Sequence, residues 1–435
     1  MTHSASLKEL IDSTAWIDTH EHLLEEHSRL RTDSYTFVTG LNLDTRIPPD
    51  WTVLIVHYAL DDLISAGMPL NLVDPLLADG LGPLEKWELV ESYFEAARLT
   101  GYLRAVDLTT EQLFGARLSR ETCEEIDRRC RELRRPGYYR DVLNDVARVE
   151  RCQVNSIEED PFCVTRTPDL LDQDLSLVPL VLGRHSRAES LSGIHVGGID
   201  DYLGVVEWCF DAFGDRAIAV KCPWAYLRTL EVQDVDVAPR RAFRRLRAGE
   251  ATLRERRLVE DFLFRRCLEL ASDADLPVKL HLGTLAMHSR TQLPQVFRHV
   301  ADVAPIVQRH PRTTFVLMHT AWPQQEQLLA LAKHQPNVVV DLCWSWILAP
   351  LSTTEFVQRF LTTVPASKLL CFGGDYITVE NVVGHAELAR RGLQAALEGL
   401  IAAEWLTGDD ALALVPLLMR ENADRLFYGR TREAR

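Results

Sequence analysis

The sequence predicts an α/β chain built as a TIM-type (β/α)8 barrel with a long helical insertion after strand 1. Three observations carry this. Eight short apolar, β-rich runs recur along the 435 residues, with helical stretches between several of them. The last five are continuous runs such as TFVLMH and NVVVDL, as expected of parallel strands covered on both faces. Polar residues stand at the C-terminal ends of five runs, the end where barrel enzymes build their sites.

The first run, 16–19, leads into DTHEH. About 130 residues then pass before the second, far more than the roughly 4 to 6 of an ordinary connection. The centre of that interval, 85–139, has helical spacing and dense mixed charge (LVESYFEAARLTGYL, SRETCEEIDRRCRELRR), which predicts a helical subdomain docked over one barrel end. It would either lid the site or serve only stability or a subunit contact. The expected organisation is a strand 1 region at 1–40, the insertion at 41–148 and the rest of the barrel at 149–435.

The remaining runs lie at 152–157, 175–182, 217–221, 278–282, 315–319, 338–342 and 369–372. Between the fourth and fifth strands, residues 240–266 hold ten arginines against Glu250, Glu255, Glu260 and Asp261. A solvated helix face is the first reading of that stripe, an anion-binding or partner surface the second.

Composition narrows the function. With 46% hydrophobic and 26% charged residues the chain is of ordinary globular type, and no apolar run is long enough for a membrane span. A net charge of −15 repels polyanions, so nucleic acid is not an expected partner. Nine cysteines without a CxxC pair are expected as reduced thiols. MTHSASLKELIDSTAW carries no basic segment followed by an apolar one, so a cytoplasmic location is expected. The expected partner is a small-molecule substrate, with no membrane and with homo-oligomerisation left open.

The chemistry sits at the strand ends. His20 and His22 point to the same side of strand one because side chains alternate with period two, so both imidazoles can meet one cation. Strand four ends in Lys221, strand five in His281, strand six in His319, and strand eight in Gly373-Gly374-Asp375. Singly, each histidine reads as a hydrogen-bonded core residue. Together, four imidazoles and a carboxylate at one end of a barrel match the ligand preferences of a divalent metal, Zn²⁺ before others. Lys221 has two readings. Burial beside other cations lowers a lysine pKa, and a neutral amine can take up CO₂ as a carbamate that bridges two metals. Otherwise it is an unmodified cation paired with Asp375 or with a substrate carboxylate. Loop residues Arg184, Tyr226, Arg228 and Trp344 are the substrate-binding candidates; arginines suit a carboxylate and tryptophans wall an apolar or sugar-like face.

The order HxH, Lys, His, His, Asp on strands one, four, five, six and eight resembles the amidohydrolase superfamily of metal-dependent barrels. IDTHEHL, IAVKCPWAYLRTL, KLHLGT, FVLMHTAWP, NVVVDLCWSW and FGGDY are similar to its amidohydrolase-related branch, which includes the barrel fused to glutamine synthetase. The long segment after the HxH strand is similar to that branch and to uronate isomerases. The resemblance implies that His20, His22, His281 and Asp375 bind metal, and that Asp375 also exchanges a proton with the nucleophilic water. It implies that His319 is a second-metal ligand if Lys221 is carboxylated, or a catalytic histidine if one metal binds. The function expected is a metal-dependent hydrolase of an amide-like or other C–N bond. The alternatives are uronate-isomerase-like or non-oxidative decarboxylase chemistry on the same site, and a non-catalytic metal-binding scaffold.

Overall fold

The computed structural model describes residues 3–39, 44–157, 160–287 and 290–429. Eight parallel strands follow one another in space in chain order: β1 (Trp16–Glu21), β2 (Val149–Val154), β3 (Leu171–Ser176), β4 (Ala217–Cys222), β5 (Val278–Leu280), β6 (Phe315–Leu317), β7 (Val338–Asp341) and β8 (Leu369–Leu370). The Thr19 amide donates to the Phe372 carbonyl at 3.0 Å and the Asp375 amide to the His20 carbonyl at 2.9 Å, which closes the barrel between its last strand and its first. The expected barrel is the observed one. Among the described residues no helix is long and apolar enough to cross a membrane.

Strand three departs from expectation. The apolar run 175–182 contributes only its start to β3, and Val178–Val181 is a helical turn. The strand itself reads LDQDLS, whose polar residues disguise it. One of them, Asp174, is paired inside the barrel: Lys279 Nζ donates to both of its oxygens at 2.8 and 2.9 Å, and both side chains are fully buried. β2 likewise begins three residues before its apolar run. Strands five, six and eight stop short of the predicted ends, so His281, His319 and Asp375 stand on the turns just beyond them.

Between β1 and β2 the chain forms an antiparallel hairpin, Tyr35–Val38 with Asp44–Ile47, and then a helical cluster. The main helices are Ala59–Ser65, Pro83–Ala97, Gly101–Phe114 and Cys123–Leu133. The expected boundary at 40–41 lies outside the described residues. Thr100 caps the helix Gly101–Phe114 by accepting from the Leu103 amide, and Gly115 ends it in the left-handed region at φ 73°. This helix packs against Val382–Ala402, the long helix after β8, at a point where Gly384 offers no side chain: a Cβ there would run into the Ala105 carbonyl and the Thr109 hydroxyl. The insertion is thereby seated on the barrel.

Candidate metal centre

His20 and His22 leave β1 on the same side, as period two requires, with ring centroids 4.8 Å apart. Their Nε2 atoms approach one carboxylate oxygen, Asp375 Oδ1, at 3.2 and 3.4 Å. One ligand atom from each of His20, His22 and Asp375 falls within 4.8 Å of the others. His319, Cys343 and Asp375 form a second such group, so Asp375 belongs to both. His281 is in neither. Its Nε2 donates to the Thr284 carbonyl at 2.8 Å, and its ring lies 4.2 Å from that of His319.

The backbone sets the tautomers. The Asn155 carbonyl, 2.7 Å from His22 Nδ1, and the Cys343 carbonyl, 2.9 Å from His319 Nδ1, can only accept. Each ring therefore carries its proton on Nδ1 and keeps a lone pair on Nε2. Burial pushes the His22 imidazole down to about 3 and holds those of His20, His281 and His319 well below their ordinary range, so all four are neutral donors. Burial raises Asp375 to about 6, against the opposing pull of the Lys221 ammonium and the Tyr58 hydroxyl.

Lys221 is buried at the end of β4, with Nζ 2.9 Å from His20 Nε2. Burial lowers its pKa, opposed by the charge of Asp375. The donor set fits a divalent cation. Asp375 Oδ1 and His319 Nε2 are enclosed without a hydrogen-bond partner, and the oriented imidazoles supply nitrogen lone pairs beside a carboxylate. Against this, Lys221 donates to the His20 nitrogen, so a metal ion and the lysine ammonium compete for one lone pair.

The insertion completes the site with a residue that the strand pattern did not reveal. Tyr58 donates to Asp375, its hydroxyl 2.7 Å from Oδ2 and 2.6 Å from the backbone oxygen. Its ring stacks on Trp344 at 4.9 Å, and Trp344 meets His319 edge-on at 5.4 Å. Trp344, expected to bind substrate, is fully buried against His281 and His319 and does not line the cavity above them.

A cavity of about 290 Å³ opens over these groups, touching His22, Lys221, His281 and Asp375. Its walls are mainly apolar, with Val56, Leu60 and Leu77 from the insertion and Ile377 from the barrel. Tyr226 lines it, with its hydroxyl accepting from the Ala286 amide at 2.9 Å. Arg184 and Arg228 do not reach it. Arg228 is locked by Glu260 at 3.0 Å and Asp261 at 2.7 Å, and both arginines face a different cavity. Among the described residues, the guanidinium of the main cavity is Arg46, from the hairpin.

Residues 231–428 match the family model Amidohydrolase. Protein fluG of Emericella nidulans is 27% identical over 236 residues, 51% of this chain; the chain spans 26% of the length of that relative. Among solved structures, glucuronate isomerase from Caulobacter crescentus superposes with a TM-score of 0.75 at 18% identity, covering 98% of this chain and 94% of that one. Uronate isomerase from Thermotoga maritima gives 0.74 at 14% identity, with coverage of 98% and 97%. A protein described as a metal-dependent hydrolase from Lactobacillus casei gives 0.64 at 14%, with 99% of each chain covered. The resemblance read from the strand-end motifs is thus matched by a family model, and the fold by structures that span the whole chain.

Proposed function

We propose that the chain is a metal-dependent hydrolase acting on an amide-like or other C–N bond of a small molecule with an apolar body. The observation that carries this reading is the convergence of His20, His22 and Asp375 within 4.8 Å beneath a mainly apolar cavity. A bound divalent cation, Zn²⁺ first, would polarise a substrate oxygen and lower the pKa of water toward about 7. His20, His22 and Asp375 would hold it, with His281 and His319 alongside. Asp375 then takes the proton of the attacking water as a C–O bond forms, and passes it to the departing nitrogen as the C–N bond breaks. The Tyr58 hydroxyl fixes Asp375 through Oδ2, which leaves Oδ1 toward the histidines. Arg46 suits an anionic group at the far end of the substrate, and the walls exclude water.

The second reading is isomerisation of a uronate, with Asp375 moving a proton between carbons. The uronate isomerase structures that superpose over almost the whole chain favour it. The walls weigh against it, since each hydroxyl of a sugar acid buried against Leu60, Leu77 and Ile377 would lose its hydrogen bonds. The discriminating experiment offers the metal-loaded protein N-acyl compounds with apolar acyl groups, uronates and aromatic carboxylic acids, with Asp375→Asn as the blank. Amine release from the first set is the expected result. Ketose formation from a uronate, or CO₂ release from an acid, would replace hydrolysis with isomerisation or decarboxylation.

A further inference from the structure

A second cavity, of about 240 Å³, lies at the same end of the barrel. The loops after β3 and β4 line both cavities: Pro179 and Tyr226 face the first, Leu182 and Leu227 the second. Its lining carries the guanidiniums of Arg184, Arg228, Arg256 and Arg257 and one carboxylate, Glu260. Arg228 is satisfied by Glu260 and Asp261 and stacks 4.7 Å over Trp224. The other three are different. Among the described residues, Arg184, Arg256 and Arg257 meet no carboxylate within ion-pair distance, and Arg257 Nε is enclosed with no acceptor.

The surroundings make this uneven distribution informative. The chain carries −15 overall, so carboxylates are in excess. Neighbouring arginines have found them: Arg245 pairs with Glu255, Arg247 with Glu189, Arg265 with Asp234 and Arg266 with Glu207. Among the described residues Arg241, Arg244 and Arg254 also meet no carboxylate within ion-pair distance, but they do not line the cavity. Arg256 also senses Glu260 and Arg257 senses Asp261, but Arg228 already engages both carboxylates, so four guanidiniums face two carboxylates; the excess positive charge around one void repels itself, and a bound anion relieves that cost with bidentate hydrogen bonds. The volume suits a small molecule, and the net charge of the chain disfavours a macromolecular polyanion.

We infer that this cavity binds a compact small-molecule dianion, a phosphate monoester or a dicarboxylate, through Arg184, Arg256 and Arg257. The inference does not rest on the hydrolase reading, because none of the three touches the metal centre. The test is calorimetric titration of the full chain, reconstituted with Zn²⁺ and freed of unbound metal, with inorganic phosphate and separately with malonate, at constant ionic strength set by chloride. The chains compared are wild type, Arg256→Gln/Arg257→Gln, Arg184→Gln, the control Arg254→Gln, and His20→Ala/His22→Ala. Arg256 and Arg184 are exposed, so their loss leaves the core intact, and Arg184→Gln tests the site from a second element. One saturable site is expected in wild type, in Arg254→Gln and in the histidine double variant, weakened at least about tenfold in the other two, as for loss of a charge-assisted contact. Preference for phosphate or malonate identifies the class of anion. No saturable binding of either anion, equal binding in every variant, or loss confined to the histidine double variant would overturn the inference.

Discussion

Asp375 sits in the left-handed region at φ 63°, as do His319 at 61° and Trp344 at 66°. All three follow barrel strands, so backbone strain gathers where the titratable side chains converge. Asp375→Asn keeps the shape and an oxygen donor but cannot take a proton; turnover should fall by at least ~10² while metal is partly retained. An Asn variant with near wild-type rate would remove Asp375 from proton transfer. Tyr58→Phe removes a hydrogen bond that lowers the Asp375 pKa, so the acidic limb of the pH–rate profile should move to higher pH. A profile that keeps its position while the rate falls would reduce Tyr58 to packing. His20 and His22 are legible in sequence because strand periodicity dictates their direction. Tyr58 is not, because its position depends on how an insertion 317 residues away in sequence docks against Asp375.

His299 provides a stability test at a residue outside the proposed ligand set. Its Nδ1 accepts from the Gly283 amide at 3.0 Å, and burial pushes the imidazole down to about 4. The unfolded chain binds the proton more readily, so this contribution is complete above pH 6.5 and is lost as pH falls from 6.5 toward 4. At pH 5 the loss is about 2 kcal/mol, at 1.36 kcal/mol per unit. Denaturant titrations of wild type and His299→Asn at pH 7 and pH 5 should differ in their pH dependence by about that amount. Equal dependence would mean that His299 is not held neutral by the fold.

At the scale of elements, the strands that sequence shows best are those buried on both faces by apolar side chains. β3 escapes because its interior is built from Asp174, countered by Lys279 on β5, and neither residue carries an apolar signal. Lys279→Met should destabilise the chain by about 3–5 kcal/mol, the cost of leaving one buried charge unpaired, and Asp174→Asn in the same chain should restore much of it. A double variant no more stable than the single one would show that the pair is not the unit that matters. Helix capping and spacing make the insertion helices legible, but not their seat. That seat depends on Gly384, where a methyl group collides with the facing helix. Gly384→Ala should cost about 1–3 kcal/mol by overpacking. It should also lower activity, because the insertion carries Tyr58. Full activity with reduced stability would separate the insertion's docking from the site.

On the scale of the whole molecule, a closed barrel brings the ends of strands one, four, five, six and eight together, and the insertion roofs them with a mainly apolar cavity. The convergence is legible because chain order maps directly onto strand order around a barrel. The cavity walls are not, since they come from loops and from the hairpin that supplies Arg46. Lys221 distinguishes two versions of the centre. As an unmodified ammonium beside His20 it opposes the metal, so Lys221→Ala should bind Zn²⁺ at least as tightly as wild type. As a carbamate it would be a ligand, and the same variant would lose metal that short carboxylic acids restore. The proposed centre is one cation shared by His20, His22 and Asp375. It is tested most directly by metal analysis of Zn²⁺-reconstituted wild type beside His20→Ala/His22→Ala, with folding monitored by circular dichroism. About one ion per wild-type chain, falling toward zero in a double variant that stays folded, is the predicted result for a site that has lost two of its nitrogen ligands. Unchanged metal content in that variant would contradict it.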